Sequence, residues 1–207
     1  MRRCVIVGGA EIRDYAAVRA YLREDDYCIF CDCGLRHREG LGIEPDLIVG
    51  DFDSHECPDT DTETIVLPRE KDDTDTVFAA KEALRRSFVD FLLVGVIGGR
   101  LDHTLGNVAI LLLLRERGGR GRIVDDFSEM ELVAESSVNV EDRFAYFSLL
   151  NISGTARGVT VEGAKYPLRD AEISCGYPYG ISNEVLSGRR AVISVREGEL
   201  LLIRLRR

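Results

Sequence analysis

The chain has 207 residues, 45% of them hydrophobic and 30% charged, which is typical of a globular protein with one domain or two small ones. Its formal net charge of -9 disfavours a nucleic acid as partner, because proteins that bind polyanions usually present a basic surface. No apolar run reaches the roughly 20 residues that a membrane-spanning helix needs, and the first apolar stretch is too short for a secretory signal. We therefore expect a cytoplasmic protein with no nucleic-acid or membrane partner.

Six cysteines raise the questions of disulfides and of a metal site. Without a secretory signal, and with a full-sized core available, we expect reduced thiols. Cys28, Cys31 and Cys33 suggest zinc, but a closed zinc site needs a fourth ligand at suitable spacing, and only Cys57 and scattered histidines follow. Cys28 and Cys31 are explained more simply as small residues of a buried strand.

The first 125 residues alternate short β-branched runs with helical patterns, which indicates a mainly parallel α/β sheet. Strands are predicted at residues 4–7, 27–31, 47–49, 64–67, 91–97 and 122–124. Helices are predicted at residues 14–23, 75–86 and 102–117. The first two helices are amphipathic, and the third is apolar over most of its surface, which predicts deep packing. We expect a Rossmann-like domain at residues 1–125, with helices flanking the sheet.

The remainder of the chain has a different pattern. Short β-branched or aromatic runs at residues 130–134, 144–150, 159–161, 191–195 and 200–205 are separated by Gly, Ser and Asn. No helical pattern interrupts them. This predicts an all-β sandwich or barrel domain at residues 126–207, with the junction at residues 125–128.

Five loops that follow predicted parallel strands are rich in glycine, aspartate or both. Ligands of an open parallel sheet bind beyond the carboxyl ends of its strands, so these loops are expected to share one site. In chain order, the residues concerned are Gly8 and Gly9; Asp32 and Gly34; Asp51 and Asp53; Lys71, Asp72 and Asp75; and Arg100, Asp102 and His103.

The aspartates of these loops point to a cation, because clustered carboxylates repel one another. Oxygen ligands favour magnesium or calcium. Magnesium suits a nucleotide better, since it takes few protein carboxylates and completes its shell with water and phosphate oxygens. Arg100, Lys71 and glycine-exposed N–H groups are the expected phosphate donors.

Single residues of these five loops also have simpler explanations. Asp73 or Thr74 could merely begin the helix that follows them. His103 could brace Asp102 or bond the backbone instead of taking part in chemistry. The coincidence of five loops is more specific than any one of them.

The chain lacks the Gly-x-x-x-x-Gly-Lys-Ser/Thr loop and the protein-kinase motifs, which excludes the common nucleotide-triphosphate architectures. Asp51 and Asp53 imitate the Asp-x-Asp of haloacid-dehalogenase-type phosphatases, whose first aspartate is a nucleophile, but Gly50 and Ser54 fit that motif poorly. A magnesium phosphatase and a non-enzymatic binding module that uses the cysteines stay open as alternatives.

Three motifs together resemble the thiamine pyrophosphokinase (thiamine diphosphokinase) family: residues 45–54, residues 71–75, and residues 98–103 with Asn107. Residues 163–168 and 180–184 look like the small β domain of that family, so the resemblance covers nearly the whole chain. The chain departs from the family at Cys31 and Cys33, where Ala and Gly are more usual around the shared Asp32.

The resemblance implies transfer of a diphosphate from ATP, the co-substrate, to the hydroxyl of thiamine, giving thiamine diphosphate and AMP. It implies that residues 1–125 hold ATP and magnesium, and that thiamine lies between this domain and the β domain of the partner in a homodimer. The implied catalytic and phosphate-organising residues are Asp51, Asp53, Asp72, Asp75 and Asp102, of which Asp51, Asp53 and Asp72 bind the metal. The expected nucleotide contacts are Gly8, Gly9, Asp32, Gly34, Lys71, Asp75, Arg100, His103 and Asn107.

In-line attack on the β-phosphorus needs positioning, charge neutralisation and at most a weak base. We hypothesise that Asp72 or Asp102 receives the hydroxyl proton. Thiamine is a cation with flat rings, for which Tyr166, Ser182 and Asn183 are candidate partners. A buried tyrosine and a turn-forming Ser-Asn pair explain the same three residues about equally well.

Overall fold

The computed structural model describes residues 2–52, 60–70 and 72–207. The chain divides into two compact units, Met1–Asp126 and Phe127–Arg207, and this division falls within residues 125–128. Two of the predicted site residues, Asp53 and Lys71, lie outside the described residues, as does Cys57.

The first unit is built on six strands that all pair in parallel, in the order β4-β3-β2-β1-β5-β6. The strands are β1 (Cys4–Val7), β2 (Tyr27–Cys31), β3 (Leu47–Gly50), β4 (Glu63–Val66), β5 (Asp90–Val94) and β6 (Arg120–Val124). The helices are α1 (Tyr15–Arg19), a 3-10 helix (Asp32–His37), α2 (Arg38–Leu41), α3 (Asp75–Arg85) and α4 (Leu101–Glu116). The predicted α/β class is confirmed.

Helices cover both faces of this sheet. Alternate strand residues such as Val5, Phe30 and Leu92 form one buried cluster with Val18 of α1 and Leu41 of α2. On the other face, α3 packs against β1, β2 and β3, and α4 packs against β6. Because the chain runs outward from β1 to β4 and then returns to place β5 on the other side of β1, the strand order reverses beside β1. Ligands of such sheets bind at this reversal.

The predicted deep packing of α4 was wrong for its first turns. Leu101 is 70% exposed and Leu105 is 62% exposed, whereas Ile110, Leu111 and Leu114 are buried. The sequence pattern counted apolar residues around the whole helix, but only the face toward the sheet contacts the core. No helix within the described residues is long and apolar enough to span a membrane.

The second unit consists of two antiparallel sheets, with strand orders β7-β13-β9 and β11-β10-β12-β8. Its strands are β7 (Ser128–Val133), β8 (Val138–Glu141), β9 (Phe144–Leu150), β10 (Thr155–Glu162), β11 (Leu168–Ser174), β12 (Arg190–Ser194) and β13 (Leu200–Arg206). Side chains from both sheets, including Phe147, Leu202, Val161 and Ile193, form one core. The prediction of an all-β sandwich is confirmed.

Candidate active site

A cleft of about 800 Å³ opens at the carboxyl ends of the parallel strands, within the first unit. The loops after β1, β2, β3, β4 and β5 all contribute to its lining. Of the predicted site residues, those that line it are Gly8, Gly9, Asp32, Asp51, Asp72, Asp75, Arg100, His103 and Asn107. The structure therefore brings the residues of all five predicted loops to one place.

Glycines allow these loops to approach one another closely. A Cβ on Gly50 would lie 2.8 Å from the Cβ of Asp32, so glycine at this position lets the end of β3 abut the start of the 3-10 helix. Gly34 does not line the cleft, but a Cβ there would lie 2.2 Å from the carbonyl oxygen of Val7. Gly34 thus fixes the 3-10 helix, with Asp32 at its start, against the end of β1.

Two helices begin at the cleft. Residues 72–76 line it where α3 starts, and the Thr74 hydroxyl caps that helix by accepting from the Val77 N–H at 3.4 Å. Gly98, Gly99 and Arg100 line it where α4 starts. Because helix N-termini carry partial positive charge and unpaired N–H groups, both ends favour an anion in the cleft.

The buried Asn107 side chain fixes the starts of these two helices relative to each other. Its Oδ1 accepts from the Thr76 hydroxyl at 2.6 Å, and its Nδ2 donates to the Val96 carbonyl at 2.8 Å. Asn107 therefore connects α4 to α3 and to the loop after β5. The sequence predicted a nucleotide contact here, and the geometry adds this positioning role.

The lining carboxylates of Asp32, Asp51, Asp72 and Asp75 supply only oxygen donors. Within residues 2–52, 60–70 and 72–207, no three His, Cys, Asp or Glu side chains converge into a ready-made metal cage. This arrangement fits a divalent cation that uses few protein ligands and shares the rest with phosphate and water, as magnesium does. It fits poorly with calcium, which takes more protein oxygens.

Asp102 differs in its position and pairing from the aspartates that line the cleft. It does not line the cleft, its side chain is 66% exposed, and its Oδ2 accepts from Arg100 Nη2 at 2.6 Å. The Arg100 hydrogen bond, followed by that of the His103 backbone N–H, lowers the pKa of the Asp102 carboxyl to about 2. In this arrangement, Asp102 is a poor proton acceptor.

The helix-start explanation describes Thr74 and Asp73 well. Thr74 is the N-cap of α3, and both carboxylate oxygens of Asp73 accept from Lys81 Nζ at 2.7 Å. Asp73 lines the cleft, but its charge is balanced from within α3.

Two arginines that the sequence analysis missed also line the cleft. Arg36 lies four residues after Asp32 in the same 3-10 helix, and its Nε donates to the Cys33 carbonyl at 2.9 Å. Arg69 lies in the loop after β4, and its guanidinium makes no hydrogen bond or ion pair in the part of the chain that the structure describes. The only signal for Arg69 was its position two residues before Lys71.

The three candidates in the second unit have different surroundings. Tyr166 is 58% exposed, so the buried-tyrosine explanation is wrong. Ser182 is exposed, with a φ of 57°, and its N–H donates to the Ser148 hydroxyl at 3.0 Å. Asn183 is buried: its Oδ1 accepts the Tyr166 N–H at 3.0 Å and its Nδ2 donates to the Tyr166 carbonyl at 2.8 Å. Asn183 thus anchors the loop that presents Tyr166.

The doubly wound sheet and its acidic cleft define a nucleotide-using α/β enzyme with an appended β unit. The protein-family model for the thiamin pyrophosphokinase catalytic domain matches residues 18–120 of the sequence. The family model for the thiamin pyrophosphokinase vitamin B1 binding domain matches residues 135–200.

Known thiamine pyrophosphokinases match this chain over nearly the whole length of both chains. Thiamine pyrophosphokinase of Bacillus subtilis (strain 168) is 28% identical over 214 residues, covering 99% of both chains. The crystal structure of the Bacillus subtilis enzyme gives a TM-score of 0.84 at 26% identity, with full coverage of both chains. That of thiamin pyrophosphokinase from Geobacillus thermodenitrificans gives 0.82 at 32% identity, covering 99% of this chain and 98% of the other.

The chain belongs to the thiamine pyrophosphokinase family. This confirms the resemblance drawn from the three motifs and the prediction that the protein is an enzyme.

Gly34→Ala should displace the 3-10 helix that carries Asp32 and Arg36 and so disturb the cleft. The added Cβ clashes with the Val7 carbonyl, so we expect a loss of at least about 2 kcal/mol in the free energy of unfolding, together with weaker ATP binding. Gly106→Ala is the matched control, because a Cβ there meets nothing within 4 Å and alanine favours the α4 helix. Urea unfolding and calorimetric ATP titration check both variants; equal stability of the two would contradict the packing argument.

Proposed function

We propose that this chain binds ATP and magnesium in the cleft of the first unit and transfers the terminal diphosphate to the hydroxyl of thiamine, forming thiamine diphosphate and AMP. The observation that carries the proposal is the meeting of oxygen-donor carboxylates, guanidinium groups and two helix N-termini in one cleft. Carboxylates alone would repel a nucleotide, whereas this mixture suits a metal-complexed polyphosphate.

Asp51, Asp53 and Asp72 are the residues that we assign to magnesium. When bound, magnesium would neutralise charge on the phosphate oxygens and so favour attack by an alcohol. The support from the structure is that Asp51 and Asp72 line the same cleft and contribute only oxygen donors.

We assign the polyphosphate chain to donors from three sources. Arg36, Arg69 and Arg100 present guanidinium groups that can form paired hydrogen bonds with phosphate oxygens. The N-termini of α3 and α4 add backbone N–H groups. Lys71 belongs to this set by its place in the motif of residues 71–75.

Asp72 is the better candidate for accepting the hydroxyl proton. It lines the cleft, whereas Asp102 lies outside the lining and is paired with Arg100. Both carboxylate oxygens of Asp102 accept from this guanidinium, whereas Asp72 would bind magnesium through one oxygen and accept the proton on the other. Asp102 then serves to orient Arg100 at the start of α4.

We assign thiamine to the second unit, with Tyr166 as a ring partner and Ser182 as a polar partner, and with Asn183 as the residue that holds their loops. The functional enzyme is a homodimer in which the β unit of one subunit completes the cleft of the other. Exposed aromatic residues on this unit, including Tyr146, Tyr177 and Tyr179, support a surface that is covered in the assembly.

The test of the function is the identity of the nucleotide product. We expect that the protein, incubated with ATP, magnesium and thiamine, forms AMP and thiamine diphosphate in equal amounts, as read by chromatography. ADP with thiamine monophosphate, or phosphate release that does not depend on thiamine, would contradict diphosphate transfer and favour a kinase of one phosphate or a phosphatase.

Asp72→Asn should lower kcat by at least about a hundredfold while changing the KM for thiamine by less than about threefold, because it removes the group that accepts the hydroxyl proton and helps to hold magnesium at the phosphate. Asp102→Asn should cost about tenfold or less, since it only releases Arg100. Steady-state kinetics on both variants provide the comparison, and a larger loss in Asp102→Asn would reverse the assignment.

Mixing two inactive variants tests the shared site. Asp72→Asn disables the cleft, and a Tyr166→Ala, Ser182→Ala double variant disables the thiamine surface. If subunits exchange and each site combines two chains, then about a quarter of the sites in the mixture are intact. Recovery of roughly that activity is expected, and no recovery from a mixture shown to exchange subunits would exclude the shared site.

A further inference from the structure

His37 lies buried behind the cleft wall and makes hydrogen bonds through both ring nitrogens. It is the last residue of the 3-10 helix and is 2% exposed. Its Nε2 lies 2.9 Å from the Ala10 carbonyl oxygen, and its Nδ1 lies 2.8 Å from the Tyr15 hydroxyl. Neither the family motifs nor the proposed chemistry assigns it a role.

The partners of the ring determine its tautomer. A carbonyl oxygen can only accept, so the proton of the neutral ring is on Nε2 and is donated to Ala10. The Nδ1 lone pair then accepts from the Tyr15 hydroxyl. Burial lowers the pKa of His37, which agrees with a neutral ring. Tyr15 on α1 thus orients the imidazole that holds the Ala10 carbonyl.

Ala10 belongs to the glycine-rich loop, residues 8–11, which lines the cleft. This loop is also tied to β5 and the residue after it, because the Gly8 N–H donates to the Val94 carbonyl at 2.9 Å and the Ala10 N–H to the Gly95 carbonyl at 2.8 Å. In the described part of the chain, the intervening Gly9 N–H makes no hydrogen bond. It is therefore available to a phosphate oxygen, as in other backbone anion sites.

His37 connects three elements at this point. It sits on the helix that carries Asp32 and Arg36, it bonds the loop after β1, and its Cδ2 lies 3.4 Å from where a Cβ on Gly95 would stand. The ring packs behind these loops and is itself not part of the cleft lining. Its most direct effect on a ligand is therefore through the backbone of residues 8–11, which its hydrogen bond holds.

We propose that His37, oriented by Tyr15, is a positioning residue that fixes the loop of residues 8–11 for the phosphates of the nucleotide. The inference rests on the proposed function only in naming the nucleotide as ligand of the cleft. Losing the bond to Ala10 leaves the loop free to rearrange, so nucleotide binding must then restore the order that His37 supplies. Because thiamine is assigned to the second unit, we expect its binding not to depend on this loop.

The variants His37→Leu, His37→Gln and Tyr15→Phe test the proposal. Leucine fills space without hydrogen bonding, whereas glutamine can place an N–H near the position of Nε2. We expect His37→Leu to raise the KM for ATP, and the Kd of α,β-methylene-ATP with magnesium, about five- to tenfold, the effect of one lost hydrogen bond. Glutamine should restore both to within about threefold, and Tyr15→Phe should raise both about two- to fivefold. The KM for thiamine should stay unchanged.

Val18→Ala, which removes two buried methyl groups from α1 in the core cluster against which Tyr15 packs, controls for a general loss of stability. The inference is overturned if Val18→Ala raises the Kd of the analogue as much as His37→Leu does, if glutamine behaves like leucine, or if both substrates lose affinity equally. Should His37→Leu fail to fold, glutamine and Tyr15→Phe still decide the question. Because the analogue titration needs no turnover, its result is independent of whether wild-type enzyme forms AMP.

Discussion

Crowded negative charge at the carboxyl edge of a parallel sheet is the constraint on which this structure depends. Asp32, Asp51, Asp72 and Asp75 line one cleft in a chain that already carries a net charge of -9. Such a group is stable only because opposing features meet it: guanidinium groups, the positive ends of α3 and α4, and, as we propose, a divalent cation with its polyphosphate. The cleft therefore suits a ligand that carries both positive and negative charge, such as a metal-complexed polyphosphate.

The positions of these charges are set mainly by the backbone and by side chains that hold the loops and helices around the cleft. Gly34 and Gly50 let neighbouring loops approach within the space of a methyl group. Asn107 connects the starts of α3 and α4, and His37 holds the loop after β1 from behind. Phosphoryl transfer asks a protein chiefly for position and charge, so rigid support of this kind is a direct contribution to catalysis.

Much of the site could be predicted because parallel strands place their carboxyl ends at one edge, which makes residues far apart in sequence neighbours. Arg36 could not be predicted as a site residue, because Gly34 and Gly40 obscure the helical pattern of the segment that positions it. The pairing of Asp102 with Arg100 and the inward turn of Asn183 depend on side-chain contacts that spacing does not reveal. The strands β8 and β11 were missed because they are polar edge strands of their sheet.

The central claim is that the acidic cleft accepts ATP as a metal complex. Calorimetric titration with α,β-methylene-ATP, once with excess magnesium and once with EDTA, tests this claim most directly because it needs neither thiamine nor turnover. The account predicts that removing magnesium weakens binding by at least about tenfold, since the uncompensated phosphates then face the aspartates. Equal affinity in EDTA would contradict it and would leave the carboxylates of the cleft without the role proposed for them.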